Sequence, residues 1–115
     1  MLSARARATP DIETSALPER KFELVVVEAL GCIYCRLFRR DVLPSYAASP
    51  RAREVPLRFV DLVAANGGKL ALTGPIGVLP TVLLLRDGRE VGRIPGDVGP
   101  ENFFHSVNDL LSRTR

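Results

Sequence analysis

The sequence predicts an α/β sandwich in which one parallel strand pair is joined by a right-handed helical crossover and an antiparallel hairpin completes the sheet. Three observations carry this. The run from Phe22 to Ala29 is continuously apolar at its centre, the segment after it changes to helical spacing, and two later β-rich runs are separated by Asp87-Gly88. The length of 115 residues, with 46% hydrophobic and 25% charged residues, suits one domain. Folding at this size hides about two thirds of the chain's surface, so neither a metal nor a disulfide is needed merely to hold the core. The two cysteines are therefore free for other work.

Taken in order, residues 1–20 lack periodicity and read as a flexible N-terminal arm, with the compact domain at 21–115. Leu24-Val25-Val26-Val27 fits a central strand buried on both faces. Gly31 then breaks the extended run. Cys32 to Tyr46 carries apolar residues at 34, 37, 38, 42 and 46, close to a helical period, with Pro44 placed to bend or end the helix. Ala47 to Pro56 reads as loop and Leu57 to Val63 as a second strand. Residues 64–78 contain Gly67, Gly68, Gly74, Pro75 and Gly77, so they are expected to be mostly loop with at most a single turn. Thr81–Arg86 and Arg89–Ile94 flank Asp87-Gly88, both of which tolerate the positive φ of a type I′ turn. Gly99-Pro100-Glu101 opens a terminal helix whose apolar stripe is Phe103, Phe104, Val107, Leu110 and Leu111.

Composition removes several function classes. No apolar run approaches the roughly 20 residues of a membrane helix. The net charge of +3 comes from 14 Arg against 2 Lys, and the strongest local excess lies between Arg36 and Arg58. That modest basic face lacks the interleaved aromatics of a nucleic-acid module, so no nucleic acid is expected as a partner. Arg5 and Arg7 are not followed by an apolar signal core, which leaves two expectations open: a cytoplasmic protein, or a mature form whose signal has been removed.

The chemistry concentrates in Cys32-Ile33-Tyr34-Cys35. Only roughly 2% of random placements of two cysteines in this length would put them three apart, and the pair stands where strand gives way to helix. Cys32 at the helix start meets unpaired backbone N–H groups and a partial positive charge, which favour thiolate over thiol. In such motifs the thiol pKa falls from about 8.5 to roughly 3.5–7.5. Cys35, one turn in, keeps its proton until a mixed disulfide forms on Cys32, then attacks it and releases the partner. Arg36, Arg39 and Arg40 add positive charge close by. Glu28, four residues before Cys32, has two readings of equal weight. It is either a carboxyl whose pKa burial raises so that it exchanges protons with Cys35, or a rim carboxylate paired with an arginine.

Strand, GCIYC, a helix with Pro44, Val78-Leu79-Pro80-Thr81 opening a strand, the Asp87-Gly88 hairpin, Gly96 and a terminal amphipathic helix together resemble the thioredoxin superfamily over residues 22–113. The resemblance implies a thioredoxin-like fold, with a mixed four- to five-stranded sheet and helices on both faces. It also implies that Pro80 is a cis-proline, that the backbone before it at Leu79 pairs with substrate, and that Ile33 and Tyr34 meet the same substrate. The motif departs from ordinary thioredoxin in lacking a flanking Trp and an internal Gly-Pro. Val26 stands where a buried Asp would be, so the usual proton relay is missing.

Within the superfamily, VVVEALGCIYC, FRRDVLPSY and LPTVLLLRDGREVGRIPG are similar to the small periplasmic thioredoxins encoded with bacterial sulfur-oxidation systems. That likeness implies a periplasmic protein-disulfide reductase that works without a cofactor. It would keep a SoxYZ-type carrier protein in its thiol form and be recharged by a membrane thiol-electron donor of the CcdA type. A monomer is expected, because isomerases of this class add a dimerisation domain that 115 residues cannot hold.

Two rival readings keep other chemistry in view. A zinc-binding interaction module would use the cysteine pair as half a site, but needs two further ligands, and the sole histidine, His105, falls on the terminal helix. A redox-inactive or sensor domain would keep the fold without turnover.

Overall fold

The computed structural model describes residues 21–114, so the arm expected at residues 1–20 lies outside the described residues. Four strands form one sheet: β1 (Phe22–Glu28), β2 (Leu57–Asp61), β3 (Thr81–Arg86) and β4 (Arg89–Pro95), in the spatial order β2-β1-β3-β4. β1 runs parallel to β2, from Leu24↔Leu57 to Glu28↔Asp61, and antiparallel to β3, from Phe22↔Arg86 to Val27↔Thr81. It is thus a central strand with both faces covered. Leu24 and Val26 join Val82 and Leu84 in one apolar layer, while Val25 and Val27 join Leu83 and Leu85 in the other. This explains the unbroken apolar run: in a strand with two buried faces, both sets of alternating side chains must be apolar.

The first layer packs under α1 (Ile33–Asp41), α2 (Leu43–Ala47) and α5 (Pro100–Thr114) through Phe38, Val42, Tyr46, Phe103, Val107 and Leu111. Phe103 meets Phe38 and Tyr46 edge-on, with ring centroids 5.4 and 5.7 Å apart. Phe104, half-buried at the edge of the stripe, lies 5.8 Å from Tyr46. The second layer is covered by α4 (Leu62–Ala64), the wide turn at Ala65–Lys69 and the irregular segment after it, through Ala65, Ile76, Leu70, Leu72 and Leu79.

Several boundaries differ from expectation. The helix expected over Cys32–Tyr46 bends at Val42, because Pro44 offers no N–H to the Arg40 carbonyl. The backbone bonds Val42 N–H to Phe38 O and Tyr46 N–H to Val42 O, at 2.9 and 3.0 Å, carry the rod through the bend. The expected loop at Ala47–Pro56 contains one helical turn, α3 (Arg51–Glu54). β2 stops at Asp61, not Val63, since the Asp61 carboxylate accepts the Val63 N–H at 2.9 Å and caps a helix there. That cap, with the burial of Ala65, starts helical backbone at Leu62, inside the span expected to be strand, and carries it to Gly67; residues 70–78 are the loop expected. It unwinds at Gly68, where φ is 98°.

The hairpin has the expected turn, with φ 52° at Asp87 and 84° at Gly88. Beyond it the β3–β4 register slips by one, from Leu85↔Glu90 to Leu84↔Gly92, leaving Val91 as an extra residue in a β-bulge. The ends of β1, β2 and β4 and the start of β3 share one rim of the sheet. The rim holds the site.

Candidate functional site

Gly31 turns the chain from β1 into α1 with φ of 79°, a conformation that a side chain would strain. Cys32 follows as the N-cap of α1, with extended backbone, and its Sγ accepts the Cys35 N–H at 3.1 Å. The two cysteines are joined as a disulfide with Cα atoms 5.2 Å apart. Cys32 is half-buried and Cys35 is 4% exposed. Cys32 is thus the more exposed residue of the pair and Cys35 the covered one. When the bond opens, the N–H aimed at Cys32 remains to receive negative charge there, with the helix start adding to it.

A cavity of about 430 Å³ beside the disulfide is lined by Glu28, Cys32, Cys35, Arg36, Arg39 and Asp61, among others. Two of its four charged side chains, Glu28 and Arg39, pair with each other. Arg39 Nε and Nη2 donate to the two carboxylate oxygens of Glu28 at 3.0 and 2.8 Å, which raises the guanidinium pKa further. Arg40 donates to Asp41 at 2.7 and 2.9 Å and holds that carboxyl below its ordinary range, outweighing the opposing effect of desolvation. Arg36 is the member of the trio without an ion pair among the described residues. Of the two readings of Glu28, the structure shows the arginine-paired rim carboxylate. Its side chain is 26% exposed.

The Leu79–Pro80 bond is cis. The β1–β3 register ends at Val27↔Thr81, which sets Pro80 one step further, at the end of β1 that leads to Gly31 and Cys32. Pro80 is buried and its carbonyl accepts the Gly96 N–H at 2.7 Å. Leu79 packs its side chain into the second apolar layer, so what it can offer a partner is backbone. Ile33 and Tyr34 are 55% and 58% exposed. Three further exposed apolar residues were not singled out from sequence: Leu30 in the turn leaving β1, Val63 in α4 and Val78 in the segment entering β3. Leu30 and Val78 carried a signal, being apolar residues outside the expected strands and helices, whereas Val63 was expected to end the second strand. His105 lies on α5 and lines a separate cavity with Arg93, Pro95 and Asp109. No group of three His, Cys, Asp or Glu side chains able to hold a metal ion occurs among the described residues.

Comparison with known proteins places this geometry. A family profile described as a thioredoxin-like domain matches residues 10–111. No curated protein matches the chain by sequence. Among solved structures, the periplasmic thioredoxin SoxS from Paracoccus pantotrophus, in its reduced form, is similar with a TM-score of 0.75 and 24% identity, over 83% of this chain and 100% of that one. The Malassezia sympodialis thioredoxin Mala s 13 is similar with a TM-score of 0.61 and 18% identity, over 77% of this chain and 74% of that one. Mitochondrial thioredoxin 3 from Saccharomyces cerevisiae, in its oxidized form, gives 0.58 and 18%, over 77% and 78%.

Proposed function

The chain belongs to the thioredoxin-like domain family, and from that premise we propose that it is a protein-disulfide reductase. The observation that carries the reading is the Cys32–Cys35 disulfide at the start of α1, with the first cysteine the more exposed and the second covered. A pair so placed is a thiol-disulfide oxidoreductase centre.

In the reducing direction the Cys32 thiolate attacks one sulfur of a client disulfide. A mixed disulfide forms and the client's other sulfur leaves as thiolate. Cys35 then loses its proton and attacks Cys32 Sγ, the client's second thiolate departs, and the enzyme is left in the oxidised state seen here. Two electrons pass to the client, and an external thiol donor must return them. The exposed side chains of Ile33, Tyr34, Leu30 and Val78 offer apolar contact to a client chain around the reacting sulfur, and the backbone at Leu79 offers hydrogen bonds.

The finer reading follows the likeness to a periplasmic thioredoxin. We place the protein in the periplasm, with a SoxYZ-type carrier as client and a CcdA-type membrane protein as electron donor. Reduction of insulin disulfides tests the activity. The wild type should reduce insulin, Cys32→Ser should not, and Cys35→Ser should arrest as a mixed disulfide. Equal activity in all three would end the catalytic reading in favour of a binding or sensor domain. For the client, purified SoxYZ-type carrier with its cysteine blocked as a disulfide should regain a free thiol on mixing with the reduced enzyme. No release with an enzyme active on insulin would remove the carrier from the proposal.

A further inference from the structure

We propose that Glu90 and Arg93 are positioning residues for the Leu79–Pro80 segment, and through it for client binding. The inference rests on the reductase reading above. Residues 72–80 form neither helix nor strand, and Ala71 before them holds only a lone bridge to Arg89. Yet the segment sets the backbone that faces the sulfur rim. Something outside it must hold its shape.

The hold comes from two sides. On the β4 side, Glu90 N–H donates to Ala71 O at 3.0 Å, and Glu90 Oε1 accepts the Thr73 N–H at 2.9 Å. Arg93 Nη2 donates to Glu90 Oε1 at 2.8 Å and to Gly74 O at 3.0 Å, and its Nη1 donates to Pro75 O at 3.2 Å. A second bond, from Arg93 Nε to Glu90 Oε2, completes the pair. On the helical side, Asn66 accepts the Ile76 N–H at 2.9 Å and donates to Ile76 O at 3.1 Å. Backbone groups of residues 71, 73, 74, 75 and 76 are thus held from outside. Three residues remain before Pro80.

This meeting of Glu90 and Arg93 depends on the bulge. Residues three apart in a regular strand point to opposite faces. Val91, the extra residue, restores Glu90 and Arg93 to one face, where the carboxylate is 2% exposed. An ion pair so desolvated adds little net stability compared with apolar side chains of equal size, because stripping two charges of water opposes their attraction. Its particular yield is direction: two oxygens and three N–H groups fix where the neighbouring carbonyls and amides sit.

The test compares insulin, which must lie against the segment, with iodoacetamide, which touches only the Cys32 sulfur. In Glu90→Gln and in Arg93→Lys, KM for insulin should rise by about tenfold, with kcat within about twofold. The rate and pH midpoint of Cys32 alkylation should match the wild type. Asn66→Ala, acting from the other side, should give the same split and guards against a folding defect in either β4 variant. Unchanged KM in all three variants overturns the proposal, as does a parallel fall in alkylation and insulin turnover, which would mark a general structural role. A wild type that alkylates normally but does not reduce insulin would instead sink the reductase reading itself.

Discussion

Arg39 holds both carboxylate oxygens of Glu28 while its guanidinium carbon lies 3.7 Å above the Phe59 ring, and this one side chain neutralises Glu28 in the cavity beside the disulfide. The pair spans from the end of β1 to the second turn of α1. It turns what would be a bare carboxylate near two sulfurs into a locally neutral unit.

Breaking that unit from either side should move the reactive thiol in opposite directions. Glu28→Gln leaves Arg39 uncompensated, which favours the Cys32 thiolate. Arg39→Gln leaves Glu28 uncompensated, which disfavours it. The pH midpoint of Cys32 alkylation in the reduced enzyme should fall in the first and rise in the second by on the order of half a pH unit, and the double variant should return toward wild type. A midpoint unmoved by Glu28→Gln, together with slower release of the mixed disulfide, would point to proton exchange with Cys35 instead.

Arg36 lines the same cavity and has no ion pair among the described residues, so its charge, though exposed to solvent, is not tied to a carboxylate there. Arg36→Gln should raise the alkylation midpoint by a few tenths of a pH unit, roughly the effect of one exposed charge at a helix end. The shift should shrink in high salt. Arg40→Gln, whose partner is Asp41 on the outer surface, should leave the midpoint where it is.

Tyr46 ties the first apolar layer to the loop before β2, its hydroxyl donating to the Val55 carbonyl at 2.6 Å. Burial pushes this phenol up to about 12, with Arg51 working slightly against it and Glu54 with it. Tyr46→Phe would leave the Val55 carbonyl without its partner, at a cost of about 1–3 kcal/mol. Urea unfolding should show the loss, and alkylation of Cys32 should not change.

Acid should act through Glu90. Burial favours its neutral form, but hydrogen bonds from Arg93 and the Thr73 N–H outweigh this and hold the carboxyl below the ordinary range. A depressed carboxyl contributes stability at pH above its unfolded value and loses it as pH falls through the folded one. Thermal unfolding of wild type and Glu90→Gln should therefore differ most near neutrality, and the two curves should converge below about pH 4. A gap that persists at low pH would assign the difference to packing.

Gly92 sits beneath α5, where a methyl group would lie 2.6 Å from Leu110 Cδ2. The end of a leucine side chain can shift for one methyl, but two more carbons overfill the layer. Gly92→Val should lose about 1–3 kcal/mol in urea unfolding, more than Gly92→Ala.

What could be read from the sequence was whatever depends on neighbours along the chain. Leu24–Val27 announced a strand with two covered faces, Asp87-Gly88 its hairpin, and the spacing of Cys32 and Cys35 a pair at a helix start. The pairing of Glu28 with Arg39 was only half visible, because eleven residues and a turn separate them and the rotation of α1 about its axis selects the partner. The helix start at Leu62 was hidden by the apolar run that reads on from β2, since the Asp61 cap and the burial of Ala65 decide it. The Glu90–Arg93 contact was concealed by strand alternation itself, which assigns the two to opposite sides.

The bulge gives the molecule a parity. With Val91 present, the count of residues between Glu90 and Arg93 sends both toward the stretch that ends in Pro80. Remove that one valine and the count becomes even-handed again: one of the two charges must swing beneath α5 into hydrocarbon, while the other is left alone on its old side. A deletion on the far strand, touching neither sulfur nor any residue of the stretch it governs, would unmoor the client-facing backbone from a distance.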